Sequence, residues 1–71
     1  MRERGTIVNW FPHLGYGFIK PDLVASGGAD VFLHEKQIRS GFPRTGAIVE
    51  FEAVVRGARK RLVADRAEVV L

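Results

Sequence analysis

Two short stretches, Gly15-Tyr16-Gly17-Phe18-Ile19 and Asp30-Val31-Phe32-Leu33-His34, hold the residues whose types and spacing could do chemistry. In an extended strand, side chains two apart share a face. Tyr16, Phe18 and Lys20 then stand on one face of one strand. Asp30, Phe32 and His34 stand on one face of another. If these strands pair, the sheet carries open rings flanked by a cation, and the glycines leave space between the rings. Such a surface stacks unpaired bases and holds their phosphates. The reverse assignment would turn Ile19 toward water and leave voids at the glycines inside a small barrel. Trp10, just upstream with Phe11, fits a core anchor as well as an exposed ring. Phe51 reads as core.

Other chemistries find little support. The chain has no cysteine, so disulfides, thiolate metal sites and cysteine nucleophiles are excluded. The two histidines, His13 and His34, have no spacing that suggests a metal site. There is no triad and no phosphate loop, and Glu50 and Glu52 read as the solvent side of a strand rather than an acid–base pair. The expectation is a protein that is not an enzyme, with no cofactor, no metal and no small-molecule substrate. Asp30 either touches a base edge or caps the turn after Gly27-Gly28. Eleven Lys and Arg against eight Asp and Glu give a net charge of +3, which favours a polyanionic partner.

Positioning these residues requires strands. Periods of two dominate and no helical period emerges. The pattern predicts strands at about residues 5–11, 16–20, 30–34, 48–56 and 62–70. Pro12 closes the first, because proline cannot donate to a ladder. Pro21-Asp22 closes the second, and residues 23–29, with Ser26-Gly27-Gly28, read as a loop. Residues 35–39 read as a turn or a single helical turn, and Gly41, Pro43 and Gly46 mark another loop. The basic segment from Arg56 to Arg61 reads as a hairpin whose tip is either solvated or touches phosphate; Arg59 is its binding candidate. Five short strands at this spacing predict one all-β domain over residues 1–71, a closed or nearly closed barrel, and closure hides its edges. Val8, Ile19, Val31, Leu33, Ile38, Val49 and Phe51 are the core candidates. No apolar run approaches the ~18 residues of a membrane span, and the start lacks the apolar stretch of a signal peptide, so the expectation is an intracellular protein that does not enter a membrane.

Taken together, NWF (9–11), GYGFI (15–19), ADVFLH (29–34), Ile38, GF (41–42), VEFE (49–52) and the closing strand to Val69 resemble the cold-shock domain family. The resemblance implies a five-stranded antiparallel Greek-key barrel of the OB type that binds single-stranded RNA and DNA in the cytoplasm. It implies roles such as RNA chaperone or regulator of transcription or translation. Whether the chain is a monomer or a strand-exchanged dimer stays open. Carried over from the family, the stacking positions are Trp10, Tyr16, Phe18, Phe32 and His34, with Phe11 and Phe42 peripheral and Asp30 beside the site. The chain departs from the family at Asn9 and Leu14, where lysines are usual, and at Glu35, where a ring is usual. The connection Pro12-His13-Leu14 is also one residue shorter than the family's. Fewer phosphate contacts are therefore expected, with the hairpin at 56–61 restoring some charge. The alternative is an adaptor barrel using the same aromatic groove on extended peptides. Quenching of Trp10 fluorescence by oligothymidine separates the two.

Overall fold

A computed structural model describes residues 2–22 and 30–71; the loop expected at 23–29 lies outside the described residues. The β-branched run Thr6-Ile7-Val8 lies within β1 (Glu3–Phe11), and the turn at 12–15 leads into β2 (Tyr16–Pro21). In that turn the Gly15 N–H donates to the Phe11 carbonyl at 2.9 Å, and Gly15 takes φ +73°, a region glycine enters without a Cβ clash. Next come β3 (Val31–His34), one 3-10 turn (Glu35–Gln37), β4 (Ile38–Ser40), β5 (Ile48–Arg56) and β6 (Arg61–Val69).

The sheet order is β3-β2-β1-β5-β6-β4, and β3 also pairs with β6, so five strands close a barrel. Neighbouring strands from β3 round to β6 are antiparallel. The closing pair, Phe32 opposite Val63, is parallel. This is the closed five-stranded barrel expected from the sequence, and its one parallel pair is a matter of parity. An odd number of alternating strands must bring two like directions together at the seam. One difference is β4, which pairs in parallel with β6 where the sequence pattern predicts a turn as far as Arg39. The 3-10 turn ends at Gln37, and the Ile38 N–H donates back to the Glu35 carbonyl.

Ile7, Ile19, Val31, Leu33, Val49 and Phe51 are fully buried, with Ala47, Ala64 and Ala67 filling between them. Ile38, expected inside, is only partly buried and leans on this cluster. Val8, also a core candidate, is only half-buried, and Ile7 holds the core position instead. The cause is a bulge: Ile7 pairs with Ile19, Asn9 with Phe18, and Val8 falls between them without a partner. The loop before β5 fixes this irregularity. The Ile7 N–H donates to the Ala47 carbonyl at 2.8 Å, and the Gly46 N–H donates to the Ile7 carbonyl at 2.7 Å.

Candidate nucleic-acid interface

Register decides which rings share a surface. Across β2 and β3, Tyr16 pairs with His34 and Phe18 with Phe32, while Gly17 pairs with Leu33 and Ile19 with Val31. Leu33, Val31 and Ile19 are core residues, so Tyr16, Phe18, Phe32 and His34 share the outer face. Phe11 joins them opposite Tyr16 on β1. The rings form one connected ladder. Phe11 lies 5.6 Å from Tyr16, Tyr16 5.4 Å from Phe32, and Phe32 5.8 Å from Phe18 and 6.3 Å from His34. The spacings and the tilted or edge-on angles are those of favourable aromatic pairs. Because the rings cover one another, Tyr16, Phe18 and Phe32 are half-buried, while Phe11 stays exposed. The His34 Nδ1 accepts a hydrogen bond from the Lys36 N–H at 3.1 Å. A neutral imidazole in that bond carries its proton on Nε2, which is then the free donor.

Trp10 does not belong to this surface. Beyond the bulge it pairs with Gly17, the partner of Leu33, so it points to the inner side of the sheet and packs partly buried against the core. The stacking position that the resemblance assigns to Trp10 is thereby moved around the edge of β1 to the barrel rim. A Cβ at residue 17 would come within 2.7 Å of the Trp10 ring and collide with the Asn9 carbonyl, so only glycine lets the indole lie there. The Thr45 hydroxyl accepts from the Trp10 N–H at 3.2 Å and ties this rim to the loop before β5. The indole lines a cleft of about 340 Å³ with Pro12, Glu35, Ile38, Phe42 and Pro43. Phe42 is 87% exposed.

Cations border the ladder on two sides. Lys20 is exposed at the end of β2, beyond Phe18. Arg59 is exposed in the turn between β5 and β6. Asp30 is exposed just ahead of β3; its supposed turn at Gly27-Gly28 lies outside the described residues. Sequence reasoning placed Arg61 in the basic hairpin but missed its contact with the ladder. Its guanidinium lies 5.1 Å from the centre of the Phe32 ring, a cation–π contact across the seam where β3 meets β6. Arg56, opposite Arg61 in register, pairs with Asp65 at 3.4 Å and borders a second hollow beside Phe32, His34 and Gln37. Outward alternation along β6 could have flagged Arg61, but only once the seam was known. Asn9 is exposed beside Phe18, and Leu14 is exposed in the turn after β1, so the two positions without lysine flank the ladder.

A closed barrel with an outer aromatic ladder and cations at its borders defines a nucleic-acid-binding β-barrel. Residues 3–68 match the family model described as the 'Cold-shock' DNA-binding domain, and the chain belongs to that family, which binds single-stranded nucleic acid and is not a family of enzymes. It is 43% identical over 68 residues to Glycine-rich protein 2 of Nicotiana sylvestris, covering 90% of this chain and 30% of that protein. Its fold is similar to that of drosophila Unr CSD456, with a TM-score of 0.72 and 25% identity over all of this chain and 27% of that one. The chain thus spans under a third of the length of either relative.

Proposed function

We propose that this domain holds single-stranded RNA or DNA by stacking successive bases on the outer face of β2 and β3, with little sequence preference along that face. We propose further that it serves as an RNA chaperone or as a regulator of transcription or translation. The connected ladder Phe11–Tyr16–Phe32–Phe18 with His34 at its end carries this reading. Every base has a π-face, so stacking tolerates any sequence and contributes about 1–3 kcal/mol per base. In this reading His34 offers its Nε2–H to a base or phosphate, and Asp30 offers its carboxylate to a base edge. Trp10 and Phe42 take a flanking base at the rim. Lys20, Arg59 and Arg61 meet the backbone.

An exposed cation–π contact such as that of Arg61 contributes about 0.5–1 kcal/mol, less than the stacking of a base. A base therefore takes the Phe32 face and frees the guanidinium for phosphate. A protein that holds bases unpaired pulls RNA hairpins open by mass action. A dye-and-quencher-labelled RNA hairpin tests this. Fluorescence should rise as protein is added in excess and fall again when unlabelled single strand competes. A hairpin that stays closed at concentrations saturating a single strand would defeat the chaperone role and leave a regulator that only binds.

A further inference from the structure

Glu35 places an acid in a site for a polyanion. Its carboxylate lies against the bare Cα of Gly15: a Cβ built there would stand 2.8 Å from Cδ and 2.9 and 3.0 Å from the two oxygens. The Glu35 N–H donates to the Gly15 carbonyl at 2.9 Å, which fixes the residue at the mouth of the Trp10 cleft. Among the described residues the carboxylate has no cation partner and accepts no hydrogen bond. The walls about it are mostly apolar: Trp10, Ile38, Phe42 and Pro43. An ionised carboxylate only accepts, and its two oxygens are best met by two parallel donors. A phosphate offers none and is repelled.

Base edges differ sharply in what they offer this group. Guanine presents adjacent donors, N1–H and N2–H₂, at the spacing of the two carboxylate oxygens. Adenine and cytosine present an amino group beside a bare ring nitrogen. Uracil and thymine present one N–H between two carbonyls. Every base but guanine therefore turns a lone pair toward the second oxygen. Resting on the single-strand reading above, we infer that Glu35 makes the rim cleft selective for guanine, with the base against Trp10 and Phe42 and its Watson–Crick edge on the carboxylate. The ladder on the outer face remains tolerant, so the selectivity acts at one position of a bound strand. A bidentate side-chain–base pair discriminates strongly where it is desolvated. At this exposed rim the gain is expected to be about tenfold in affinity.

The test is a set of oligothymidine heptamers, each with one guanine, moved one position at a time. Affinity is read from Trp10 fluorescence against the all-thymidine strand. One position should gain about tenfold, and replacing that guanine by hypoxanthine, which lacks the N2 amino group, should remove most of the gain. Glu35→Gln keeps the shape but offers only one acceptor. It should abolish the guanine gain while oligothymidine binds as well or better, with an unchanged melting temperature. Equal binding of all heptamers, or a guanine gain that survives Glu35→Gln, overturns the inference and leaves single-strand binding intact. Failure of every heptamer to bind the native protein overturns both.

Discussion

Phe32 is the hub of the ladder, and its removal separates binding from folding. It touches Tyr16, Phe18 and His34 and lies under Arg61. Phe32→Ala removes one stacking platform, so affinity for oligothymidine should fall by about 1–3 kcal/mol, or roughly five- to 150-fold. Folding gives up three partial aromatic pairings, the exposed cation–π interaction and part of the burial of a half-exposed ring, together about 2–3 kcal/mol. The adjacent residue makes the control. Leu33 is fully buried among Ile7, Ile19 and Phe51, and Leu33→Ala should cost about 2–5 kcal/mol through lost transfer and cavity terms. The assay pairs a fluorescence titration at fixed salt with thermal melting of both variants. Phe32→Ala should bind weakly yet melt above Leu33→Ala. If Phe32→Ala melts lower than Leu33→Ala, or binds like the native protein, the assignment of the two faces of β3 is wrong.

Three further outcomes follow from the same geometry. Ile7→Thr should lower the melting temperature much more than Val8→Thr, because the bulge puts Ile7 in the core and leaves Val8 half-exposed; equal losses would remove the bulge from solution. Glu35→Phe should tighten binding of oligothymidine by adding a ring to the rim cleft and removing a charge that repels phosphate, as an isothermal titration would read directly. Replacing Arg59, Lys60 and Arg61 with Gln should flatten the dependence of log K on log salt by about 0.7 for each phosphate no longer neutralised, while oligothymidine still quenches Trp10; an unchanged slope would mark the hairpin as a solvated tip.

Local alternation was enough to identify the ladder. Tyr16, Phe18, Phe32 and His34 emerge on one face because glycine or aliphatic residues interleave with them, and β2 and β3 are regular where they pair. Alternation leaves Trp10 open between core anchor and exposed ring, and it is the family resemblance that assigns it to the stacking face. Thr6, Ile7 and Val8 are all β-branched, so no residue type marks which one bulges, and the bulge is fixed by hydrogen bonds to Ala47 and Gly46 in the distant loop before β5. One extra residue in β1 reverses every face beyond it, which moves the indole from the outer surface to the rim. The contact of Arg61 with the ladder was hidden because it joins strands far apart in the chain. Its interaction with Phe32 crosses the parallel seam between β3 and β6, and no local period reports which distant strands close a barrel. The three-residue β4 is too short to have a period at all.

The central claim is that bases stack on the outer face of β2 and β3. Titration of oligothymidine into isotopically labelled protein, followed through backbone amide shifts, tests it residue by residue. The largest shifts should fall at Phe11, at 16–18, at 32–34 and at Arg61, with a second group around Trp10 and Phe42. Little change should occur where Arg2 bridges to Glu68 at 2.9 Å and to the Glu50 carbonyl at 3.0 Å, away from the ladder. Shifts gathered around Arg2, Glu50 and Glu68, with the ladder unmoved at saturation, would contradict the account.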